Sequence, residues 1–548
     1  MHLAGSGYEE VYRSFRWELP ARLNIAAEIV DRHAARTPEA PALLVETADG
    51  AVETWTFAKV RETANRFANA LVAFGVRRGD VVAIHLPQGV ECLVAHVAVQ
   101  KVGAVALPLF SLFGPDAIGF RLADSAAVLL VTSAAAHARL AGTLAAIASL
   151  RHVVVVGAEA SSPAHEFWRV VAQGAASFQT ADTAICDPAL LMYTSGTTGN
   201  PKGVLHAQSV LLGHLPGVMV PHDGFPRAGD RFWTPADWAW AGGLLDVLLP
   251  SLYHGVPVVA ATRSKFEPDW AFDFMARHHV RNVFLPPTAL RLMRQVAAPR
   301  LHYAFALRTL GTGGETLGGD LIAWGRETFG LTIAEFFGQT EVNLVVGNAP
   351  DLFAVRPGSM GRAIPGHVVE IVDESGAVLP PGREGVVAVR RPDPVMFLGY
   401  WRQPAATEAK FRGHWCLLGD IAVKDADGYF WFKGRDDDVI TSAGYRIGPG
   451  EVEECLVSHP AVALAGVVGA PDAVRGEAVT AYLVLNSGEV ASPELAVAIQ
   501  AHVRERLAAH EYPRHIRFVE ALPMTITGKV RRVELRARER DLAARGRA

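Results

Sequence analysis

The stretch YTSGTTGNPKGV, Tyr193 to Val204, interleaves Thr194, Ser195, Thr197 and Thr198 with Gly196, Gly199 and Gly203, and adds Lys202. Glycines let backbone N–H groups approach a ligand closely. Successive N–H groups and small hydroxyls make an anion-binding concavity, and a lysine contributes a compact charge. Taken alone, the stretch reads either as a phosphate grip or as a polar hairpin loop. It is not a Walker P-loop, which needs a glycine directly before the lysine; Lys202 follows Pro201. Lys529 does follow Gly528, but Pro523 stands where the earlier glycine belongs and Val530 where the Ser/Thr belongs.

On either side of this loop, short apolar runs alternate with helical stretches. Upstream, strands are expected over 42–45, 54–57, 81–86, 105–109, 128–132 and 152–156, with helices over 59–74, 90–102, 118–125 and 134–150. Downstream, strands over 258–260, 283–285 and 309–311 alternate with helices over 269–278, 288–296 and 320–329. Strand–helix alternation predicts βαβ units and parallel sheets. After Pro357 the texture changes to short strands and tight turns, among them Asp425-Ala426-Asp427-Gly428, a hairpin turn. Beyond the acidic run Asp436-Asp437-Asp438, read as a solvated loop, a small α+β unit begins. Pro449 opens one of its helices and Ser492 caps another. The expectation is an α/β protein. A large N-terminal domain, 1–433, holds two wound βαβ subdomains and a small β-rich subdomain. A hinge over 434–438 leads to a small mobile α+β C-terminal domain, 439–548.

Composition narrows the function classes. The 548 residues carry 52 Lys+Arg against 56 Asp+Glu, a net charge of −4, so nothing points to a nucleic-acid partner. Cys92, Cys186, Cys416 and Cys455 are far apart, without a CxxC pair, which argues for a reducing compartment and against a zinc site. No secretory signal opens the chain. The most apolar stretch, 93–113, is broken by His96, Gln100, Lys101, Gly103 and Pro108, so no membrane span is expected. The default location is cytoplasmic.

Further motifs follow the glycine-rich loop in order: PADWAWAGG (235–243), GTGGET (311–316), EFFGQTE (335–341), Gly419-Asp420, KGRDDDVITSAGYRIGPGEVE (433–453) and PMTITGK (523–529). Together they resemble the adenylate-forming, AMP-binding superfamily of acyl-CoA synthetases, firefly luciferase and nonribosomal peptide adenylation domains, over nearly the whole chain. AGYRIGPGEVE and GQTE look most like medium-chain acyl-CoA synthetases, a sister group of acetyl-CoA synthetase.

The resemblance implies a two-step reaction. A carboxylate attacks the α-phosphorus of ATP to give acyl-AMP and pyrophosphate; the thiol of coenzyme A then displaces AMP. It implies that Thr194, Ser195, Gly196, Thr197, Thr198, Gly199 and Lys202 cradle phosphate, that Glu341 holds Mg2+, and that Thr340 bonds the α-phosphate. Gly314, Glu315 and Thr316, with Glu335, Phe336, Phe337, Gly338 and Gln339, are expected around the nucleotide. Asp420 is expected to take both ribose hydroxyls with help from Arg435, and Arg446 to meet phosphate. Lys529 would bridge the attacking carboxylate and ATP. Asp437 matches the hinge position, about which the C-terminal domain swings to present Ala443, Gly444 and Tyr445 to the pantetheine tunnel. Val457, His459 and Val462 align with a carbonyl-based metal site of acetyl-CoA synthetase-like relatives, although His459 before Pro460 reads better as a helix C-cap.

Acetyl-CoA synthetases have a tryptophan directly before QTE; here Gly338 takes that place. The exchange is expected to open apolar space, so the acid should be longer than acetate: medium-chain, branched or aryl. Trp238 and Trp240 are candidates for the acyl pocket. Asn343, where glycine is common in relatives, could bond a polar group on the acid, which leaves hydroxy or keto acids open. The alternative is an acyl- or aryl-adenylating enzyme that loads a separate carrier protein, although the chain ends at Ala548 without a downstream carrier domain. The expected partners are ATP, coenzyme A and a small carboxylic acid. A homodimer, and a lysine acetyltransferase acting on Lys529, are further candidates.

Overall fold

The computed structural model describes the chain apart from residues 1–4, 6, 48, 158–163, 195–200, 262–264, 316, 436–437, 443–444, 473–474, 508–510, 526–527 and 546–548, and the side chains of 441, 445 and 446. Ser195, Gly196, Thr197, Thr198, Gly199, Thr316, Asp437, Ala443 and Gly444 therefore lie outside the described residues, as do the side chains of Tyr445 and Arg446.

Two wound sheets form the large domain. One has eight strands, with Val81–His85, Val105–Pro108, Leu129–Ser133 and His152–Val156 in parallel and the hairpin Pro188–Thr194/Lys202–Ala207 toward one edge. The other has nine, with Phe232–Trp233, Val258–Ala261, Asn282–Phe284, Thr309–Gly313 and Ala334–Gln339 in parallel. The first hairpin of the chain, Pro41–Glu46 and Val52–Thr56, crosses to the second sheet, where Leu43 to Glu46 lie beside Val258 to Ala261. Sequence order had grouped it with the first series. Leu43 is fully buried and packs into the shared core.

That core lies between the sheets. Helix Val90–Val102 is buried on nearly every side, His96, Gln100 and Lys101 included. Such a helix must bond its polar side chains internally. Gln100 Nε2 donates to the Ala189 carbonyl over 2.8 Å, and Lys101 pairs with Asp31. No described helix is long and apolar enough to cross a membrane.

The β-rich unit contains Val369–Val372, Glu384–Arg390, Trp415–Lys424 and Phe430–Arg435. The expected turn is present: Gly428 N–H donates to Asp425 O, and Asp425 N–H to Tyr429 O. The small domain has a sheet of Ile440–Ser442, Tyr445–Ile447, Val462–Asp472, Gly476–Leu485 and His515–Phe518, with helices Pro449–Val457, Pro493–Arg506 and Arg532–Ala544. Ser492 caps the second helix by accepting from Leu495 N–H. Asp438 is not solvated as the acidic run suggested. It is buried and pairs with Arg532 and Arg536, while Arg532 also holds Glu453 over 2.6 Å.

Candidate active site

The described parts of several motifs meet where the two large sheets and the small domain come together. The strands flanking the glycine-rich stretch pair as a hairpin, Thr194 with Lys202 and Tyr193 with Gly203. Strand Gly399–Tyr400 adds to it, with Tyr400 beside Val204. In the other sheet, Ala334–Gln339 and Val342–Gly347 form an antiparallel hairpin, with Thr340 and Glu341 as its two-residue turn. The QTE motif is therefore the tip of a hairpin. Tyr400 Oη donates to Glu341 Oε1 over 2.5 Å, and Lys202 Nζ lies 5.1 Å from the centre of the Tyr400 ring. The motif search did not single out Tyr400: a short strand far along the chain gives no local signal of such a bond.

Glu341 is buried but has one carboxylate oxygen left over from Tyr400. Among the described residues no three metal-ligating side chains gather. A Mg2+ ion on Glu341 would thus complete its shell with phosphate and water, the arrangement that this small, hard cation favours. The site fits the ion in that sense.

On the ribose side, Gln339 Nε2 donates to Asp420 Oδ2 over 2.6 Å and to the Leu418 carbonyl over 2.8 Å. Arg435 lies across the strand pair from Asp420, 3.6 Å from Oδ1. Asp420 is buried, and desolvation raises its pKa, with the Arg435 cation opposing. The carboxylate is held by two partners and can still accept from a ligand.

Lys529 comes from the small domain. Its hairpin closes with Thr525 N–H donating to Lys529 O over 2.6 Å and Lys529 N–H to Thr525 Oγ1 over 2.9 Å. The tip touches the large domain where Thr288 Oγ1 lies 3.5 Å from the Gly528 carbonyl. The residue keeps a solvent-facing side, but its Cε stands 3.6 Å from where a Cβ on Gly314 would be, and the Trp240 ring is 3.4 Å from the same point. Gly314 has φ +95, a backbone conformation that favours glycine, while a Cβ there would be in ordinary contact with both side chains. Desolvation lowers the lysine pKa; Glu315 and Asp420 act to raise it. Glu315 is itself held by Arg291 at 2.7 Å and Thr288 at 3.1 Å. A second interdomain contact comes from Glu454, whose Oε1 stands 3.0 Å from where a Cβ on Gly318 would be, beside the start of helix Gly319–Phe329. An anion is favoured at that helix end.

Other expected residues face elsewhere. Along the strand, side chains alternate. Phe336 is buried and stacks on Phe284 with ring centres 5.4 Å apart, while Phe337 is partly exposed. Glu335 is buried and its pKa is pushed up to about 8 by desolvation, with the Leu317 N–H acting to lower it. Trp238 is fully buried within the intersheet core. Gly338 does not border open apolar space. A Cβ there would meet Leu344 N at 2.4 Å and Asn343 Cα and Oδ1 at 2.7 Å. The room left by the missing side chain is taken by the facing strand and is polar. In the small domain, the first helix ends at Val457 with Ser458 as its C-cap, so His459 lies one residue beyond the expected cap; its Nδ1 accepts from Ala461 N–H over 3.2 Å.

Residues 30–401 match the family described as AMP-binding enzyme, and residues 451–529 the AMP-binding enzyme C-terminal domain. The chain is 34% identical over 539 residues to the acyl-CoA ligase YtcI of Bacillus subtilis (strain 168), spanning 96% of this chain and 98% of that one. It is 34% identical over 553 residues to the mitochondrial acyl-coenzyme A synthetase ACSM4 of Homo sapiens, spanning 97% and 93%. The crystal structure of the anthranilate CoA ligase AuaEII in complex with anthranoyl-AMP is similar with a TM-score of 0.88 at 29% identity, over 96% of this chain and 99% of that one.

Proposed function

The chain belongs to the AMP-binding enzymes and is an acyl-CoA synthetase, a ligase that uses ATP, Mg2+ and coenzyme A, and on that premise we propose that it activates a carboxylic acid longer than acetate. The acid is a medium-chain, branched or aryl one; an aryl acid is favoured by the likeness to an anthranilate CoA ligase.

The observation that supports this reading best is the approach of Lys529 to Gly314, Trp240 and Asp420 across the domain boundary. We assign the roles as follows. Asp420, held by Gln339 and Arg435, accepts from the ribose hydroxyls; a carboxylate has acceptor capacity for both. Thr340 and Glu341, at the hairpin tip, face the phosphates, with the stretch from Thr194 to Lys202 gripping the departing pyrophosphate. Mg2+ on Glu341 neutralises phosphate charge. Lys529 lies between the acid and the α-phosphate, where two anions must meet. At ~4 Å their repulsion is about 4 kcal/mol near a protein surface, and a cation placed beforehand offsets it.

Lys529 serves the first half-reaction only. The small domain then turns about Asp437, in the hinge 434–438, and brings Ala443, Gly444 and Tyr445 to the site for coenzyme A. The test is pyrophosphate release over a panel of acids, with and without CoA, using the full chain. Acid-dependent release, and acyl-CoA formation when CoA is added, are expected. Acyl transfer only to a carrier protein would overturn the CoA assignment.

A further inference from the structure

The helix that begins after Trp240 carries Asp246 into the interior, in a π-helical turn over Leu244–Leu248. Roughly six residues, or about 9 Å of helix axis, separate the two. Strand Val342–Gly347 brings Asn343 against Asp246. Asn343 Nδ2 donates to Asp246 Oδ1 over 2.6 Å and to His214 Nε2 over 3.1 Å. His214 Nδ1 lies 2.8 Å from the Val210 carbonyl, so Nδ1 bears the hydrogen and Nε2 accepts. Both amide hydrogens of Asn343 are committed. A flipped amide would set its oxygen against two acceptors, so the orientation is fixed.

Two oxygens are left over: Asn343 Oδ1 and Asp246 Oδ2. Neither has a hydrogen-bond partner among the described residues, and neither is enclosed. The residues themselves are 7% and 5% exposed. Asn343 Oδ1 stands 2.7 Å from where a Cβ on Gly338 would be, directly before the motif that carries Thr340 and Glu341. Oxygens that are not enclosed meet water, and a ligand donor can take the place of that water. Both oxygens belong to residues joined by one hydrogen bond, Asn343 being oriented by His214; one residue lies on the strand that follows Thr340 and Glu341, the other on the helix that follows Trp240.

We propose that the acid carries an O–H or N–H donor some distance from its carboxylate, and that Asn343 Oδ1 and Asp246 Oδ2 bind it. The inference rests on the acyl-CoA synthetase reading and names the substrate class within it. Burial pushes the Asp246 carboxyl well above the usual range. With Asp246 neutral, one hydroxyl donates to Asn343 and accepts from Asp246. An amine, with two N–H donors, serves a charged Asp246 instead. A keto or alkyl group offers no hydrogen to Asn343 Oδ1. Sites built to bond a substrate hydroxyl reject analogues lacking it far more strongly than apolar pockets discriminate by size.

The experiment measures kcat/KM for pyrophosphate release by the full chain on matched acids: benzoate with its para-hydroxy, para-amino and para-methyl derivatives, and hexanoate with its terminal hydroxy, amino, keto and methyl counterparts. In at least one series a donor-bearing acid is expected to exceed its methyl counterpart by ~100-fold or more. The better of hydroxyl and amine reports the charge state of Asp246. Asn343→Leu and Asp246→Leu should each bring that ratio to about tenfold or less. Equal use of donor-bearing and methyl acids by the wild type overturns the inference and leaves the synthetase reading standing, as does a ratio that survives in both variants. Should a variant fail to fold, the wild-type ratio still decides. No release with any acid would defeat the synthetase reading and this inference together.

Discussion

Tyr400 donates its phenolic hydrogen to Glu341 Oε1 over 2.5 Å, joining a strand beside the glycine-rich hairpin to the tip of the QTE hairpin in the other sheet. The bond orients the carboxylate assigned to Mg2+ and reserves one of its oxygens. A hydrogen bond to a charged group contributes about 1.5–3 kcal/mol. Tyr400→Phe is therefore expected to lower kcat by ~10–100-fold and to raise the Mg2+ concentration needed for half-maximal rate. A lower kcat with unchanged Mg2+ dependence would show that the hydroxyl does not act through Glu341.

Lys529→Ala should separate the two half-reactions. Pyrophosphate release is expected to fall by ~100-fold or more, the scale of losing one charge-stabilising donor. Thioester formation from supplied acyl-AMP and CoA should stay within a few-fold of wild type. Equal loss of both would contradict the assignment of the lysine to adenylation alone.

Gly338 faces backbone. Adding a Cβ 2.4 Å from Leu344 N would push the hairpin strands apart and displace Asn343. Gly338→Ala is expected to cost about 1–3 kcal/mol of stability, the usual range for overpacking, and to raise KM for the acid more than KM for ATP. Gly338→Trp should do so more severely. An undisturbed thermal midpoint in both would mean that the facing strand yields easily.

Glu335 gives stability a pH dependence. Its native carboxyl keeps its proton up to about pH 8, whereas an ordinary glutamate releases it near 4.5. The stabilisation is complete below the lower value and is lost as pH rises through the upper one, at about 1.4 kcal/mol per unit between them. Glu335→Gln should flatten this decline and gain on the wild type toward the alkaline end. Thermal midpoints of ligand-free protein across the window will show it; parallel curves for the two proteins would refute it.

Much of this was legible in the sequence. Helix Val90–Val102 and strand His152–Val156 have the expected bounds, since apolar runs between glycine and polar breaks leave few alternatives. Hairpin Pro41–Thr56 was assigned to the wrong sheet, because local periodicity fixes a strand but not its partner. The motifs pointed to Lys529, Asp420 and Glu341 as a set, and the structure brings their loops together. What they could not supply were the contacts that hold them: Tyr400 on Glu341, the bond from the motif's own Gln339 to Asp420, and Thr288 against Gly528. Each is a pairing across a long sequence gap, and no spacing rule encodes it. The expectation of open apolar space at Gly338 failed for a related reason: the facing strand, unseen in the sequence, fills it.

Arg435 is tied to the large domain through its strand pairing with Asp420, and Asp438 is tied to the small domain through Arg532 and Arg536. Only two residues connect these anchors. Three steps of backbone reach at most ~11 Å. For a small domain that turns as proposed, this short link is a pivot of fixed radius, so the surfaces presented to the site in turn would lie on one arc. Lengthening the link by a few residues would turn that arc into a volume, through which the Lys529 hairpin would have to search for its place.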